Sequence, residues 1–466
     1  MKTVQASKEG LSCNHENNPI LWRWEQVASA RGREPAIFAP DGSVLRTFAS
    51  VEEEARRWTE RLSASTGGAV CLQAGNCAAW PALLLAAWRT GRPVLPMEGE
   101  VPADHRRRLE QLCRVGLLLV RREQELELVR AQCPPGAANV QGHLLKVTSG
   151  TTAEPRVIRF SAAQLLADCD NICDTMGFGA DDRNYGVISF AHSYGFSNLI
   201  TPLLCRGIRL VAAWDAMPRA LVDGLSSSKA TVFPAVPALF RALGELRGVD
   251  SPLRLCISAG APLARDVARK FLDGWGLKIH SFYGASECGG ICYDSSESPE
   301  VREGYVGPPL RNVEVRMEGA GPSQIEVRGK AVGSGYHPEG DSENLRDGVF
   351  RPSDLLELDN DGYVITGRVS DLINVGGRKV NPGNIERVLR MSPRVRDVVV
   401  LGIPSGSRGE EVAACVAGDA TEDELRRLCF GSRPGWQVPR RWLFCKEIPV
   451  NARGKISRAD LRARML

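Results

Sequence analysis

Residues 146–156 read Lys-Val-Thr-Ser-Gly-Thr-Thr-Ala-Glu-Pro-Arg, with the apolar Leu144 and Leu145 before them and the β-like run 156–160 at their end. This arrangement predicts a strand, a polar loop and a second strand. The small and hydroxyl-bearing positions of the loop are Thr148, Ser149, Gly150, Thr151 and Thr152. Their hydroxyls and backbone N–H groups, with the charge of Arg156, suit a phosphate chain, although an ordinary Ser/Thr-rich turn would have the same composition. The Gly-Lys-Ser/Thr ending of a Walker loop is absent.

The composition is that of an ordinary α/β enzyme. The chain has 466 residues with 43% hydrophobic residues and 47 glycines, a size that suggests about two to four domains. Its formal net charge of +4 is close to neutral for this length, so nucleic acid is not expected as a partner. The 14 cysteines are scattered, which favours a reducing, cytoplasmic compartment without disulfides or structural zinc. Residues 1–20 lack the apolar core of a signal peptide, and the longest apolar run, 78–88, is too short to span a membrane.

Helix and strand signals alternate over most of the chain before residue 300, which predicts parallel sheets covered by helices. Asp41-Gly42 is typical of a hairpin turn. Ser50, with Glu53 three residues later, predicts the N-cap of a helix, and Ser161 predicts a second N-cap. A strand is expected over residues 185–190.

Two segments that follow predicted strands are candidates for a ligand cleft, because ligands in open α/β sheets bind at the carboxyl ends of strands. The first contains His192, Tyr194 and Gly195. The alternative for this segment is that His192 is a partly buried histidine with satisfied hydrogen bonds. The second contains Gly260 and Ala261, which would let a flat ring lie against the backbone or would form a tight turn.

A third segment combines an aromatic ring, a glycine, a hydroxyl and a carboxylate. It contains Tyr283, Gly284, Ser286 and Glu287. Tyr283 is suited to stack on a base, Ser286 to bind a phosphate, and Glu287 to hold Mg²⁺ through an oxygen ligand. A surface turn remains the alternative for these residues.

After Gly304 the predicted strands become short and are separated by glycines, which favours an antiparallel β-subdomain. Asp354 begins one of these strands, where a carboxylate would either accept both ribose hydroxyls or cap a turn. Residues 367–371 are interpreted as a joint before a small α+β domain. Lys455 lies near the end of that domain in a basic, glycine-containing loop, where it would ordinarily be a solvated charge.

Taken in order, these motifs resemble those of the adenylate-forming superfamily, which includes acyl-CoA synthetases, adenylation domains and luciferases. The motifs are Thr148–Thr152, Tyr283–Glu287, Ser353-Asp354, Gly367-Arg368 and Gly454-Lys455. The resemblance extends from about residue 20 to the C-terminus. It implies an α/β fold with a large N-terminal domain of two α/β subdomains and a β-subdomain, residues 1–369. A small mobile α+β lid, residues 370–466, would follow.

The resemblance also implies a nucleotide site for ATP. The implied residues are Thr148, Ser149, Gly150, Thr151, Thr152 and Arg156 for the β- and γ-phosphates, Gly260, Ala261 and Tyr283 for adenine with Gly284 beside them, Ser286 for the α-phosphate, and Asp354 and Arg368 for the ribose. Glu287 would hold Mg²⁺. Lys455, carried by the lid, would bridge the carboxylate and the α-phosphate while the acyl-adenylate forms.

The acid and thiol sites are implied in the same way. His192, with Tyr194 and Gly195, matches a gate between the acid pocket and the thiol tunnel. Gly376 and Gly377 match a lid loop along the path of the thiol, and Ser370 occupies the hinge position.

The implied activity is activation of a carboxylic acid by ATP, with release of pyrophosphate, and transfer of the acyl group to a thiol. Ala191 stands where relatives that activate amino acids place an Asp, so an aryl or fatty acid is expected instead. Coenzyme A is the expected thiol, and the phosphopantetheine of an acyl carrier protein is the alternative. A non-catalytic nucleotide-binding relative is disfavoured, because Lys455, Glu287 and Asp354 are all present.

Several positions depart from the usual pattern of the superfamily. Ser370 replaces the Asp or Lys of the hinge, Ala153 replaces a glycine of the phosphate loop, and Arg156 replaces a lysine. The guanidinium of Arg156 keeps the charge but not the geometry of an ammonium. Ser286 replaces a threonine and keeps its hydroxyl.

Overall fold

The computed structural model describes residues 18–65, 67–99, 101–123, 125–131, 140–147, 156–248, 250–319, 321–339, 343–346, 348–405, 409–449 and 458–466. By its internal packing the chain divides into two compact units. Unit 1 comprises Met1–Val315 and Glu326–Arg351, and unit 2 comprises Arg316–Ile325 and Pro352–Leu466. The domain boundary expected at residue 370 stays a prediction.

The helices, in chain order, are α1 Pro19–Arg31, α2 Phe48–Ser63, α3 Trp80–Arg89, α4 Ala103–Leu112, α5 Ala162–Met176, α6 Ser193–Gly195, α7 Thr201–Arg206, α8 Pro218–Ser227, α9 Pro237–Gly244, α10 Arg265–Trp275, α11 Pro382–Leu389, α12 Glu422–Phe430 and α13 Arg458–Met465. A π-helical segment, Phe196–Ile200, joins α6 to α7, and a 3₁₀ turn covers Val369–Asp371.

The strands, in chain order, are β1 Pro35–Phe38, β2 Val44–Thr47, β3 Ala69–Gln73, β4 Val94–Pro96, β5 Val115–Arg122, β6 Glu125–Arg130, β7 Leu144–Val147, β8 Val157–Phe160, β9 Arg183–Gly186, β10 Arg209–Ala212, β11 Val232–Ala235, β12 Leu255–Ser258, β13 Ile279–Ala285, β14 Gly289–Tyr293, β15 Tyr305–Gly307, β16 Glu314–Met317, β17 Ser323–Arg328, β18 Gly335–His337, β19 Leu345–Arg346, β20 Val349–Phe350, β21 Asp354–Asp359, β22 Gly362–Arg368, β23 Ile373–Val375, β24 Arg378–Val380, β25 Val395–Ser405, β26 Gly409–Gly418 and β27 Arg441–Cys445.

Unit 1 contains two sheets with parallel centres. The first has the order β14-β13-β12-β11-β9-β10-β1-β2, and the strands from β13 to β1 are parallel. The second has the order β18-β8-β7-β4-β3-β5-β6, with β7, β4, β3 and β5 parallel. Strands such as β11 and β12 are buried along their whole length, as expected for parallel strands covered on both faces. The two predicted α/β subdomains are therefore confirmed.

Aromatic side chains, mostly in edge-to-face contact, fill part of the core against the first sheet. The rings of Tyr185, Phe233, Phe240, Phe271 and Trp275 form a continuous row, with successive centroids 5.2 to 6.0 Å apart. This row packs α9 and α10 against β9 and β11.

Most of the local signals are confirmed, and two are corrected. Ser161 caps α5 and forms a capping box with Gln164. The N-cap of α2 is Thr47 and not Ser50, because the Thr47 hydroxyl accepts a hydrogen bond from the Ser50 amide at 3.1 Å. The Ser50 hydroxyl, at the third helical position, accepts a hydrogen bond from the Thr47 amide, and α2 therefore begins three residues earlier than predicted. Strand β9 ends at Gly186, before the predicted end at residue 190.

Unit 2 contains the antiparallel pair of β21 and β22 and a sheet with the order β24-β23-β26-β25, in which β27 also pairs with β26. Helices α11 and α12 cover one face of this sheet over a core of Val, Ile and Leu side chains. Helix α13 packs on the other face through Leu461 and Met465. Among the helices that the structure describes, none combines the length and the apolar character that a bilayer crossing requires.

Candidate active site

The predicted acid gate is a tight turn after β9 that leads into α6. His192 caps α6 with its own ring, since Nδ1 accepts a hydrogen bond from the Tyr194 amide at 3.3 Å. The ring is solvent-exposed, in contrast to the partly buried histidine of the alternative interpretation. A Cβ on Gly195 would lie 2.1 Å from the carbonyl oxygen of Ser189, so this position accepts only glycine.

Tyr194 attaches the gate segment to the first sheet. Its hydroxyl donates a hydrogen bond to the carbonyl oxygen of Ile257 at 3.0 Å, and its ring lies 5.9 Å from that of Phe282. Burial raises the pKa of the phenol well above its ordinary value, so the group stays protonated and keeps its hydrogen bond. The gate is thereby fixed at the carboxyl ends of β12 and β13.

Asn76 holds the approach to the gate and was not identified from the sequence. Its side-chain nitrogen lies 2.9 Å from the carbonyl oxygens of Gly186 and Ile188, and 3.0 Å from that of Ala213. Its side-chain oxygen accepts a hydrogen bond from the Phe190 amide at 2.9 Å. These bonds replace strand pairing, which explains why β9 ends early. A lone Asn in a loop carries no periodic signal that would reveal this contact.

We expect Asn76→Ala to destabilise unit 1. The substitution leaves several backbone groups of the 186–190 turn without partners, and a buried unsatisfied group costs about 1–3 kcal/mol. Urea denaturation measures the change in the free energy of unfolding. Gln73→Ala is the matched control, because the Gln73 amide also donates to two carbonyl oxygens, those of Glu98 and Gly99, at a more exposed place. Equal stability losses in the two variants would contradict the assignment.

The predicted nucleotide segment lies beside the gate. Tyr283 is in β13 and only 8% exposed. A Cβ on Gly284 would lie 2.7 Å from the carbonyl oxygen of Gly289, so the β13–β14 turn requires a glycine there. The hydroxyl of Ser193, next to His192, lies 3.1 Å from that of Ser286. The structure thus brings the gate and the Tyr283–Glu287 segment into direct contact.

Gly260 and Ala261 are exposed just beyond the end of β12. Gly260 has a φ of +86°, a conformation that favours glycine. Because β12 and β13 are parallel neighbours, paired at Ser258 and Ser281, both candidate adenine segments emerge at the same edge of the sheet.

Glu287 is held by a tyrosine that the sequence did not reveal. The Tyr336 hydroxyl donates to Oε1 of Glu287 at 3.0 Å, and the Gly333 amide donates to the Glu287 carbonyl oxygen at 2.8 Å. The guanidinium carbon of Arg156 lies 6.0 Å from the centre of the Tyr336 ring. Tyr336 therefore contacts both the predicted metal ligand, Glu287, and the predicted phosphate ligand, Arg156. About 180 residues of sequence separate Tyr336 from Arg156, and the pairing of β18 with β8 brings them together.

Two predicted site residues meet in unit 2. Asp354 and Arg368 are paired residues of β21 and β22, and Nε of Arg368 lies 2.7 Å from Oδ1 of Asp354. The arginine side chain is 62% exposed and the aspartate 12% exposed, so the pair is a surface ion pair with one oriented carboxylate. The two predicted ribose ligands are thus brought together.

The predicted hinge and thiol loop also lie in unit 2. Ser370 is exposed in the 3₁₀ turn, and its hydroxyl lies 3.3 Å from Oδ1 of Asp371. Gly376 and Gly377 connect β23 to β24 with φ values of +59° and +83°, as a two-residue hairpin of type I′ requires. Thr148, Ser149, Gly150, Thr151, Thr152 and Lys455 lie outside the described residues.

Comparison with known proteins gives consistent matches. The model of the family described as AMP-binding enzyme matches residues 143–337, and the model described as AMP-binding enzyme C-terminal domain matches residues 384–455. A feruloyl-CoA synthase from Amycolatopsis is 30% identical over 346 residues, which are 69% of this chain and 69% of that protein. The putative acyl-CoA synthetase YngI of Bacillus subtilis is 28% identical over 348 residues, 69% of this chain and 63% of the relative.

Solved structures share the fold at low identity. The anthranilate CoA ligase AuaEII in complex with anthranoyl-AMP superposes with a TM-score of 0.80 at 20% identity, covering 96% of this chain and 97% of that one. The o-succinylbenzoate CoA synthetase MenE from Bacillus subtilis, in complex with its acyl-adenylate, has a TM-score of 0.79 at 21% identity, covering 94% and 97%. Both agree with a large N-terminal domain followed by a small C-terminal one.

Proposed function

Because the chain belongs to the AMP-binding enzyme family, we propose that it is an AMP-forming acid–thiol ligase. It activates a carboxylic acid with ATP to an acyl-adenylate, releases pyrophosphate, and transfers the acyl group to coenzyme A. The observation that most supports this activity is the 3.1 Å contact between the Ser193 and Ser286 hydroxyls. The contact supports the proposal because it joins the segment predicted to form the acid gate to the segment predicted to bind the α-phosphate, and the two reactants must meet there.

The residues act by position and charge. A carboxylate that attacks the α-phosphate brings two anions together, and positioned cations lower the cost of that approach. Lys455 supplies such a charge to both anions, and Arg156 supplies one to the leaving phosphates. Asp354, oriented by its ion pair with Arg368, accepts the ribose hydroxyls. Little covalent chemistry is required of the protein, as in other transfers at phosphorus.

A magnesium ion fits the carboxylate of Glu287. Within the described residues no three His, Cys, Asp or Glu side chains come together as a metal-binding group. One oriented carboxylate that shares the ion with substrate phosphates is, however, the usual way in which Mg²⁺ is bound. Glu287 is half-buried and oriented by Tyr336, as such a ligand needs to be. The ion, when bound, neutralises charge on the phosphates.

The acid is aromatic or fatty. Ala191 offers no carboxylate for an α-ammonium group, which disfavours free amino acids. Relatives include a feruloyl-CoA synthase, a 2-succinylbenzoate–CoA ligase from Bacillus mycoides that is 29% identical, and a long-chain-fatty-acid–CoA ligase from Bacillus subtilis that is 28% identical. The first two names describe acids with a ring, and the third describes an alkyl chain.

A panel of aryl and fatty acids tests the activity. We expect pyrophosphate release that requires one class of acid, and a further stimulation by coenzyme A as the thioester forms. Release that depends on acid but never on coenzyme A, and instead on a phosphopantetheinylated carrier protein, would reassign the acceptor. ATP binding without release over the whole panel would instead support a non-catalytic relative.

A further inference from the structure

Lys146 is a buried lysine at the start of the predicted phosphate loop. Its side chain lies in β7, two residues before Thr148, and the residue is 4% exposed. Its Nζ makes no hydrogen bond within the part of the chain that the structure describes. The faces of two aromatic rings contact it instead, with Nζ 4.4 Å from the ring centre of Phe160 and 5.8 Å from that of Phe196. A lysine ammonium is rarely buried in this way unless it interacts with a negative charge nearby.

Strand register places Lys146 on the same face of the sheet as Tyr336. Lys146 pairs with Ile158, and Ile158 pairs in turn with Tyr336 on the next strand. Residues paired across strands point to the same face. Tyr336 is the residue that holds Glu287, and a Cβ on Gly333 would contact both the Glu287 carbonyl oxygen and the Phe160 ring. The ammonium therefore lies close beneath the Glu287 segment.

A second carboxylate, that of Asp168, is close enough to interact electrostatically with the ammonium. Asp168 is 3% exposed, and it accepts hydrogen bonds from the Ser197 hydroxyl at 2.6 Å and from the Gly290 amide at 2.9 Å. Ser197 adjoins Phe196, whose ring faces Nζ of Lys146. Burial lowers the pKa of the Lys146 ammonium, and the carboxylates of Asp168 and Glu287 act in the opposite direction.

The site thus contains two carboxylates where the proposed function requires a polyanion to bind. We propose that Lys146 is a further nucleotide-binding residue that acts through its charge: it offsets Asp168 and Glu287 beneath the phosphates and so admits ATP. This inference rests on the nucleotide site of the proposed function. It assigns to Lys146 no direct contact with the acid or the thiol.

Isothermal titration with Mg·ATP, in the absence of acid, tests the role of the charge. Lys146→Met keeps most of the length of the unbranched side chain and removes its charge. We expect its Kd for Mg·ATP to rise about tenfold, the effect of one charge about 10 Å away in a medium of intermediate dielectric constant. The double variant Lys146→Met/Asp168→Asn removes one charge of each sign and should recover most of the wild-type affinity. A role in packing alone would not produce that recovery.

Lys278→Met is the matched control. Lys278 is another lysine of unit 1 with a largely covered side chain, but its Nζ is paired with Asp294 at 2.9 Å and bonded to Ser296. We expect this variant to melt at a lower temperature with an unchanged Kd, whereas Lys146→Met should keep its melting temperature. An unchanged Kd in Lys146→Met, a double variant no tighter than Lys146→Met, or a failure of Lys146→Met to fold would each overturn the inference.

The proposed ligase activity is tested separately. If the wild-type protein binds Mg·ATP but releases no pyrophosphate with any acid, the proposed function fails while the comparison of Kd values still decides the role of Lys146. If the wild-type protein is active and the Kd values do not change, the inference about Lys146 fails alone.

Discussion

Lys455→Ala should lower acid-dependent ATP–pyrophosphate exchange by about 10²–10³-fold, the usual consequence of removing one positioned charge that stabilises a transition state. The lysine is proposed to neutralise the carboxylate and the α-phosphate as they approach, and no other cation is assigned to both groups. Exchange measured with the preferred acid reports this step alone, because pyrophosphate leaves before the thiol reacts.

The second half-reaction supplies the internal control for Lys455. Thioester formation from a synthetic acyl-adenylate needs no attack on the α-phosphate, so Lys455→Ala should retain it at close to the wild-type rate. Lys446→Ala removes an exposed lysine from the same unit and should change neither rate. Equal losses in both half-reactions would show that Lys455 serves the fold of unit 2 and not the adenylation chemistry.

Glu287→Gln is the substitution with the second largest expected effect. Glutamine keeps the size of the side chain and an oxygen to accept the Tyr336 hydrogen bond, but it removes the charge that is proposed to bind Mg²⁺. We expect the exchange rate to fall by about 10²-fold, and the Mg²⁺ concentration for half-maximal rate to rise. Steady-state exchange at a series of Mg²⁺ concentrations measures both quantities.

Tyr336→Phe tests how much of the effect of Glu287 depends on its orientation, because the variant keeps the charge of Glu287 and removes the hydrogen bond that orients it. It removes one hydrogen bond, worth about 0.5–1.5 kcal/mol, and should lower the rate by only about two- to tenfold. Glu297→Gln, at an exposed glutamate of unit 1, should leave the rate unchanged. A Glu287→Gln enzyme with wild-type Mg²⁺ dependence would remove Glu287 from the metal site.

The fold and the motif segments followed from local patterns in the sequence. Ser161 with Gln164 marks a helix start, and Asp41-Gly42 marks a hairpin turn, because a few neighbouring residues determine each geometry. The order of motifs then predicted the family. Ser50 was misassigned because serine is the more common N-cap, whereas Thr47, three residues before it, is the residue that caps the helix in the structure.

The residues that support the site were not predictable in this way. Asn76 and Asp168 contact segments that are more than a hundred residues away in the sequence. Tyr336 contacts Glu287, which is about fifty residues away. Their partners are set by sheet order and strand register, which a single sequence does not specify. Asp168 lies on the buried face of the amphipathic helix α5, and a polar residue at a core position was the one signal available.

Positions 192 and 195 of the predicted gate segment differ in the side chains that they can accept. His192 is exposed at a capping position, so a larger or smaller side chain has space there, although most replacements lose the capping hydrogen bond to the Tyr194 amide. Gly195, three residues later, has no space for even a methyl group. A saturation library aimed at new acids should therefore vary residue 192 and keep residue 195 constant.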